Sequence, residues 1–227
     1  MKTVVVVSGG LDSVTLAHHL AHSGHELTVV SFDYGQRHSK ELLFAQACAK
    51  RLGVEYVPVD ARPLQSVLAG SSLTDTSIEV PEGHYAEESM KSTVVPNRNA
   101  IMISIAAGLV ISRKANALAV GVHGGDHFVY PDCRPGFVRS METTLLEGNE
   151  GFIDPDFKLL APFIDGTKTD IVRRGAELDV PWEQTWSCYK GAEHHCGLCG
   201  TCVERREAFT EAGVVDPTFY QPGDSDS

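Results

Sequence analysis

The chain has little of what marks membrane, secreted or nucleic-acid-binding proteins. None of its apolar runs approaches the ~20 residues that a transmembrane helix needs. The run Val4 to Val7 follows a single lysine and is too short for the core of a signal peptide. Positive charge is scarce, because 19 lysines and arginines face 30 aspartates and glutamates, a formal net charge of -11. Phosphate-binding faces for nucleic acid are basic, so we expect a cytoplasmic protein with a small-molecule substrate and neither a nucleic-acid nor a membrane partner.

Internal repeats and low-complexity segments are also lacking, and β-branched strands alternate with amphipathic helices. This alternation predicts right-handed βαβ units and an α/β fold with a doubly wound parallel sheet. The predicted strands are residues 4–7, 27–32, 54–59, 117–122 and 157–161, and the predicted helices are residues 14–21, 39–52, 97–114, 138–147 and 168–178. The polar stretch 61–95 interrupts the pattern and is long enough to be a functional loop.

The first strand runs directly into a glycine-rich loop, Ser8-Gly9-Gly10-Leu11-Asp12-Ser13, which opens the first helix. Adjacent glycines let successive backbone N–H groups turn toward an anion, and the start of a helix attracts negative charge. The serines can donate hydroxyls, while Asp12 can cap the helix or bind the magnesium that accompanies ATP. The loop lacks the lysine end of a Walker A motif. Its simplest alternative is a tight strand-to-helix turn without a ligand.

Four of the six cysteines cluster near the C-terminus with the spacing Cys188-x7-Cys196-x2-Cys199-x2-Cys202. Four thiolates complete a tetrahedral zinc site without an open position, so we expect one structural zinc ion. An iron–sulfur cluster, a redox Cys-x2-Cys pair, or replacement of one cysteine by His194 or His195 are the alternatives. The glycine-rich loop and the change of composition at Pro181 together predict an ATP-binding α/β domain over residues 1–180, a zinc-binding segment over 181–215 packed on it, and a polar tail over 216–227.

The glycine-rich loop resembles the SGGxDS signature of the PP-loop ATP pyrophosphatases, whose fold is adenine nucleotide alpha hydrolase-like. The resemblance implies that Ser8, Gly9, Gly10, Leu11, Asp12 and Ser13 bind ATP with Mg²⁺, and that a substrate oxygen is adenylated. This loop is shared by enzymes with many different substrates, so other segments must discriminate among them.

Five further segments, in order along the chain, resemble the 7-cyano-7-deazaguanine synthase family of queuosine biosynthesis. They are Phe32 to His38, Val95 to Asn99, Tyr130 to Pro135, Thr167-Lys168, and Ser187-Cys188-Tyr189 leading into the cysteine cluster. The resemblance implies an ATP-dependent carbon–nitrogen ligase that converts 7-carboxy-7-deazaguanine, ammonia and ATP to the nitrile. Catalysis would then be mostly positioning and charge neutralisation, with no protein nucleophile.

The resemblance also suggests roles for individual residues. Arg98 and Lys168, with Asp12, would neutralise phosphate charge as catalytic residues. Asp33 and Tyr34 would contact ATP, and Gln36, Asp132 and Arg134 the deazaguanine substrate. The chain departs from the family pattern at residues 122–129, where Asp126 can supply the expected acid, and at Gly200, where the family tends to carry Asp.

Two other classes remain open at this stage. A PP-loop enzyme that adenylates a tRNA base would need a basic face or a reactive cysteine such as Cys133, which we interpret as an ordinary loop residue. A non-catalytic zinc-ribbon binding module would not bind ATP. The chain has no room for a glutaminase domain, so ammonia would come from solution or a partner. A homodimer is the base-rate expectation.

Overall fold

The computed structural model describes residues 1–84 and 90–221. The strands are β1 (Lys2–Val6), β2 (Glu26–Asp33), β3 (Glu55–Asp60), β4 (Ala117–Ala119) and β5 (Lys158–Leu160). The helices are α1 (Leu11–His22), α2 (Glu41–Leu52), α3 (Arg98–Arg113), α4 (Pro135–Gly148), α5 (Lys168–Glu177) and α6 (Gly200–Ala212). Residues 222–227, half of the predicted polar tail, lie outside the described residues.

The five strands form one sheet in the order β3-β2-β1-β4-β5, and every pairing is parallel. Val5 of β1 pairs with Val29 on one side and with Ala119 on the other, and all three side chains are buried. Helices α3 and α4 cover one face of the sheet, and α1, α2, α5 and α6 cover the other. The predicted doubly wound parallel sheet is confirmed.

The order of the strands reverses between β1 and β4. The chain leaves β1 toward β2 and β3, and it returns to the opposite side of β1 to form β4 and β5. The loops after β1 and β4 therefore diverge and leave a crevice at the carboxyl edge of the sheet. The predicted phosphate loop lies at this crevice.

One segment of the described chain, Lys91–Arg113, is long and apolar enough by length and composition to cross a membrane, although the sequence pattern predicted none. In the structure it contains α3, which packs on the sheet. Ile103, Ala106 and Val110 of α3 are buried in the core cluster that includes Val4 and Leu118. Core helices of this kind satisfy the same criteria of length and composition.

The C-terminal segment contains a helix that the sequence pattern did not predict. Helix α6 begins immediately after Cys199 and buries Ala208 and Phe209 against α1 and α5. The described part of the predicted tail contacts the cysteine segment, since Gln221 N donates to His195 O at 2.8 Å and Tyr220 forms a parallel bridge with His195. The domain boundaries predicted at residues 181 and 216 stay predictions.

Candidate active site

The crevice forms a pocket of about 240 Å³. Its polar side consists of the loop after β1 and the start of α5, and its other side is apolar and aromatic, with Met102, Ile103 and Phe137 from α3 and α4. The predicted site residues that line it are Ser8, Gly10, Leu11, Asp12, Ser13, Tyr34, Arg98, Asp132 and Lys168. A polar end beside an apolar slot is suited to a ligand that carries both phosphate and a flat ring.

The loop after β1 is held in shape by its own serines. Ser13 Oγ accepts from Ser8 N at 3.2 Å and donates to Gly10 O at 3.1 Å, and Ser8 Oγ accepts from Gly10 N at 3.2 Å. Helix α1 begins at Leu11 without a side-chain cap, so Asp12 is not the cap that the sequence allowed. The first-turn amides and the positive end of α1 therefore face the pocket without a capping side chain.

Gly9 is required for a different reason from phosphate binding. Its φ of +99° favours glycine, and a Cβ at this position would lie 2.0 Å from Glu41 O. Gly9 lets the loop approach the start of α2 closely, and it does not belong to the described lining of the pocket.

The C-terminal segment closes the pocket over the loop. Trp186 N donates to Gly9 O at 2.9 Å, and Trp186, Ser187 and Thr201 contribute to the lining. Buried Arg205 supports this wall, because its guanidinium donates to Thr185 Oγ1 at 2.7 Å and to Ser187 Oγ at 3.2 Å. The cysteine segment is therefore part of the site.

Lys168, the first residue of α5, lies between two carboxylates. Its Nζ is 2.5 Å from Glu204 Oε2 and 3.5 Å from Asp12 Oδ2. Burial alone would lower the pKa of Lys168, but Asp12 and Glu204 outweigh it and raise that pKa, so the ammonium remains charged. The neighbouring Thr167 forms a capping box with Asp170, which sets where α5 begins.

Arg98 provides a second, partly buried positive charge at the first position of α3. Its Nη1 donates to Tyr34 Oη at 3.5 Å, while Asn99 N donates to Asp132 Oδ2 at 3.4 Å. These contacts place Arg98, Tyr34 and Asp132 together in the pocket, although they are far apart in the sequence.

The sequence pattern did not predict two buried titratable groups on the pocket wall, Glu41 and His38. Burial raises the pKa of Glu41 to about 8, and burial together with Arg98 and Arg37 lowers the pKa of His38 to about 3. The contact of 3.5 Å between His38 Nε2 and Glu41 Oε1 therefore joins two neutral groups at neutral pH. Gln36 Nε2 donates to Glu41 Oε1 at 3.3 Å and to Phe32 O at 3.0 Å.

Three further predicted contact residues also lie outside the described lining of the pocket. Gln36 is buried and bonded to its own strand, Asp33 Oδ1 accepts from Gly35 N at 3.1 Å, and exposed Arg134 donates to His127 O at 2.7 Å. Their polar atoms are thus used to shape the loops that follow β2 and β4. Spacing after a strand cannot distinguish a side chain that faces a ligand from one that bonds to its own loop.

The four clustered cysteines converge as predicted. Their sulfurs all lie within 4.8 Å of one another, and Cys196 Sγ and Cys202 Sγ are 4.0 Å apart. A zinc ion bound at ~2.3 Å would separate its sulfurs by about 3.8 Å. Backbone N–H groups of Cys196, Leu198 and Cys199 donate to cluster sulfurs at 3.2 to 3.4 Å, which favours thiolates. The four cysteines can therefore hold a metal ion.

The histidine alternative is disfavoured by the contacts of His195. Its Nε2 accepts from Ser187 N at 3.0 Å, and burial, with Arg205 nearby, lowers its pKa to about 4. His194 packs edge-on against Phe219 with ring centroids 4.9 Å apart. Both rings therefore have structural contacts.

Cys133 has the wrong environment for a reactive thiol. It is buried, and burial followed by the charges of Asp126 and Asp132 raises its pKa well above the ordinary range. The thiolate is the nucleophilic form, so this environment suppresses reactivity. This agrees with the interpretation of Cys133 as a loop residue.

A parallel sheet with a strand-order reversal, a serine–glycine loop at that point and a tetracysteine segment define an α/β protein of the PP-loop, adenine nucleotide alpha hydrolase-like class. One solved structure with 18% sequence identity shares the fold at a TM-score of 0.50, covering 99% of this chain and 94% of its own. It is a protein from Methanocaldococcus jannaschii described as a predicted subunit of tRNA methyltransferase.

Sequence comparison is more specific. The family described as queuosine biosynthesis protein QueC matches residues 2–213. Proteins from Brucella ovis and Brucella suis, both named 7-cyano-7-deazaguanine synthase, are 61% identical over 225 residues, covering 99% of this chain and 95% of each relative. The chain belongs to the QueC family of queuosine biosynthesis proteins, and it is an enzyme. The predicted family resemblance is confirmed.

Proposed function

We propose that this enzyme is an ATP-dependent carbon–nitrogen ligase that converts 7-carboxy-7-deazaguanine, ammonia and ATP to 7-cyano-7-deazaguanine. The observation that carries the proposal is the pocket itself, where a phosphate-type loop shares one crevice with an apolar, aromatic slot. The synthase name of relatives with 61% identity supports the same reaction.

The chemistry requires two activations. A carboxylate oxygen attacks the α-phosphorus of ATP and pyrophosphate leaves. Ammonia then displaces AMP from the acyl adenylate and loses a proton, which forms the amide. Activation of the amide oxygen in the same way, followed by loss of AMP and the remaining nitrogen-bound protons, gives the nitrile. The loop favours AMP and pyrophosphate as by-products over ADP and phosphate, and phosphorus NMR of the products distinguishes the two.

The protein's contribution to these steps is charge and position. Lys168 and Arg98 place two positive charges on the pocket wall, and the amides at the start of α1 face the same space. Charge that develops on the leaving phosphates is stabilised more strongly in such a site than in water. Asp12 fits as a magnesium ligand because its buried Oδ1 has no hydrogen-bond partner in the part of the chain that the structure describes. Magnesium, when bound with ATP, would neutralise phosphate charge there.

The other wall of the pocket suits the flat deazaguanine ring. Phe137 and Met102 supply apolar contact, and Asp132 lines the same region, where its carboxylate can accept hydrogen bonds from an amino-pyrimidinone edge. We infer that Tyr34 lies between the ring and Arg98, since its hydroxyl contacts that guanidinium.

We propose that the four cysteines bind one zinc ion with a structural role, because a closed tetrathiolate leaves no position for water. The ion would hold residues 181–215 against the ATP-binding domain of residues 1–180 and so keep Trp186 against the loop. Elemental analysis of the purified protein tests this. One zinc per chain supports the proposal, while a coloured protein that contains iron and sulfide would contradict it.

The direct test of function is to incubate the purified, metal-loaded protein with 7-carboxy-7-deazaguanine, ammonium, ATP and magnesium, and to measure product masses. Nitrile with an amide intermediate is expected. Absence of both, with the cysteine metal confirmed, would rule the proposal out. Activity on tRNA instead would support the alternative that the net charge of -11 disfavours. The homodimer and the cytoplasmic location stay predictions, to be checked by light scattering and by cell fractionation.

A further inference from the structure

A second polar cluster lies directly behind the phosphate loop, and its centre is His123. This side chain is fully buried, yet neither of its ring nitrogens has a hydrogen-bond partner among residues 1–84 and 90–221. An unpartnered imidazole in the interior costs free energy that a bound ligand would recover. His123 follows β4 at the strand-order reversal, so its environment was not visible in the sequence pattern.

His123 Nε2 faces carboxylates. His123 Nε2 lies 3.4 Å from Asp126 Oδ2 and 3.8 Å from Asp12 Oδ2. One ligand atom from each of His123, Asp126 and Glu204 falls within 4.8 Å of the others. A six-coordinate cation at ~2.1 Å from its ligands separates neighbouring ligand atoms by about 3 Å. The ligand atoms of these three residues would therefore need to approach one another by roughly 1 to 2 Å to bind a cation.

The charges within this cluster are unbalanced. Asp12, Asp126 and Glu204 offer three carboxylates, and among these five side chains Lys168 supplies one positive charge while His123 is neutral unless protonated. A divalent cation would offset the negative charge of ionised carboxylates here, and a low-dielectric site favours such compensation. Lys168 bonds to Glu204 through Oε2, and a carboxylate has a second oxygen for a metal.

We propose that His123, Asp126 and Glu204 form a divalent-cation site adjoining Asp12 and the phosphate loop, separate from the tetracysteine site. One imidazole with carboxylates suits transition-metal cations that accept nitrogen together with oxygen, Mn²⁺ among them, better than Mg²⁺, which prefers oxygen alone. Asp12 and Asp126 both line the pocket, so a cation here would lie beside the triphosphate. That last role rests on the proposed function, whereas cation binding does not.

The test uses the full chain with its cysteine metal in place and Mn²⁺ as the probe, without ATP or substrate. Electron paramagnetic resonance should detect one bound Mn²⁺ per chain, and pulsed measurements should detect nitrogen-14 coupling from one imidazole. His123→Gln should abolish the coupling. Asp126→Asn and Glu204→Gln should each weaken Mn²⁺ binding at least tenfold.

Matched controls separate this site from adventitious binding. His22→Gln changes an exposed histidine at the far end of α1, and Glu207→Gln changes a half-exposed glutamate on the same helix as Glu204. Both should bind Mn²⁺ like the wild type. Wild-type protein without nitrogen coupling would overturn the proposal even if the buried variants fail to fold, and so would coupling that survives in folded His123→Gln.

The product assay is independent of this measurement. Nitrile formation by a chain whose Mn²⁺ spectrum lacks nitrogen coupling would leave the proposed reaction intact and remove the cation site. Nitrogen coupling in a chain that forms no nitrile would support the cation site and contradict the proposed reaction.

Discussion

The glycine-rich loop after β1 and the cysteine segment lie against each other, yet they are built in opposite ways. The loop of residues 8–13 is contiguous, follows a strand, and is held by hydrogen bonds among its own serines and backbone. The cysteine segment is mostly irregular from Trp182 to Cys199, and it converges through four sulfurs. One wall of the pocket is therefore stabilised by local backbone geometry, whereas the other converges on four cysteines that can hold a metal ion.

Replacement of a single cysteine of the cluster should have the largest effect, because it should disrupt one wall of the pocket and leave the loop of residues 8–13 intact. Cys202 is fully buried at the start of α6, so Cys202→Ser should release the metal, unfold the segment and reduce nitrile formation at least 100-fold. Elemental analysis, thermal unfolding and product assays measure the three effects. Cys48→Ala, which alters a buried cysteine of α2 away from the cluster, should retain the metal. If Cys202→Ser keeps full metal content and activity, the metal is not what holds this wall.

Removal of charge from the loop side should be the next largest effect. Lys168→Met should lower kcat by roughly 10²-fold, because one positive charge beside the phosphates is lost and Asp12 and Glu204 are left unneutralised. Metal content should be unchanged. Lys158→Met, at an exposed position on β5, is the control. Activity near wild type in Lys168→Met would exclude Lys168 from charge neutralisation.

Two glycine substitutions separate the effect of a steric collision from the effect of backbone strain alone. Gly24→Ala adds a Cβ in open space at a φ of +78° and should cost about 1 to 2 kcal/mol of unfolding free energy. Gly9→Ala adds the same strain plus a collision with Glu41 O, so it should cost clearly more and also weaken ATP binding. Denaturant unfolding and calorimetric ATP titration measure both. Equal stability of the two variants would show that the loop is free to shift.

The smallest expected effect is the contribution of Glu41 to the pH dependence of the free energy of unfolding. Its folded-state pKa of about 8 lies above the ordinary 4.5, so its stabilising contribution is complete below pH 4.5 and is lost as pH rises toward 8. Glu41→Gln should therefore become more stable relative to the wild type between pH 6.5 and 8.

His38 does not contribute to the slope above pH 6.5. Its lowered pKa reduces the free energy of unfolding only as pH falls from 6.5 toward 3. Denaturant midpoints at several pH values give the slope, and Glu26→Gln, an exposed change on β2, should leave it unaltered. A wild-type slope retained in Glu41→Gln would show that Glu41 is ionised in the folded protein.

The amino-acid sequence alone determined the features that depend on neighbouring residues. β-Branched runs such as Val4 to Val7 predicted buried parallel strands, the pair Gly9-Gly10 after a strand predicted the phosphate loop, and the spacing of the four cysteines predicted their convergence. Each of these is a short-range pattern, because strand burial, a tight turn and a Cys-x2-Cys pair all follow from local backbone geometry.

Only the tertiary structure decided which side chains share the site. His123, Lys168 and Glu204 come from three separate elements and meet because β4, α5 and α6 all end or begin at one edge of the sheet. The same packing turned Gln36 and Arg134 away from the pocket and buried Glu41 beside His38. Burial and direction of a side chain depend on what the rest of the chain packs against it, and no local pattern contains that information.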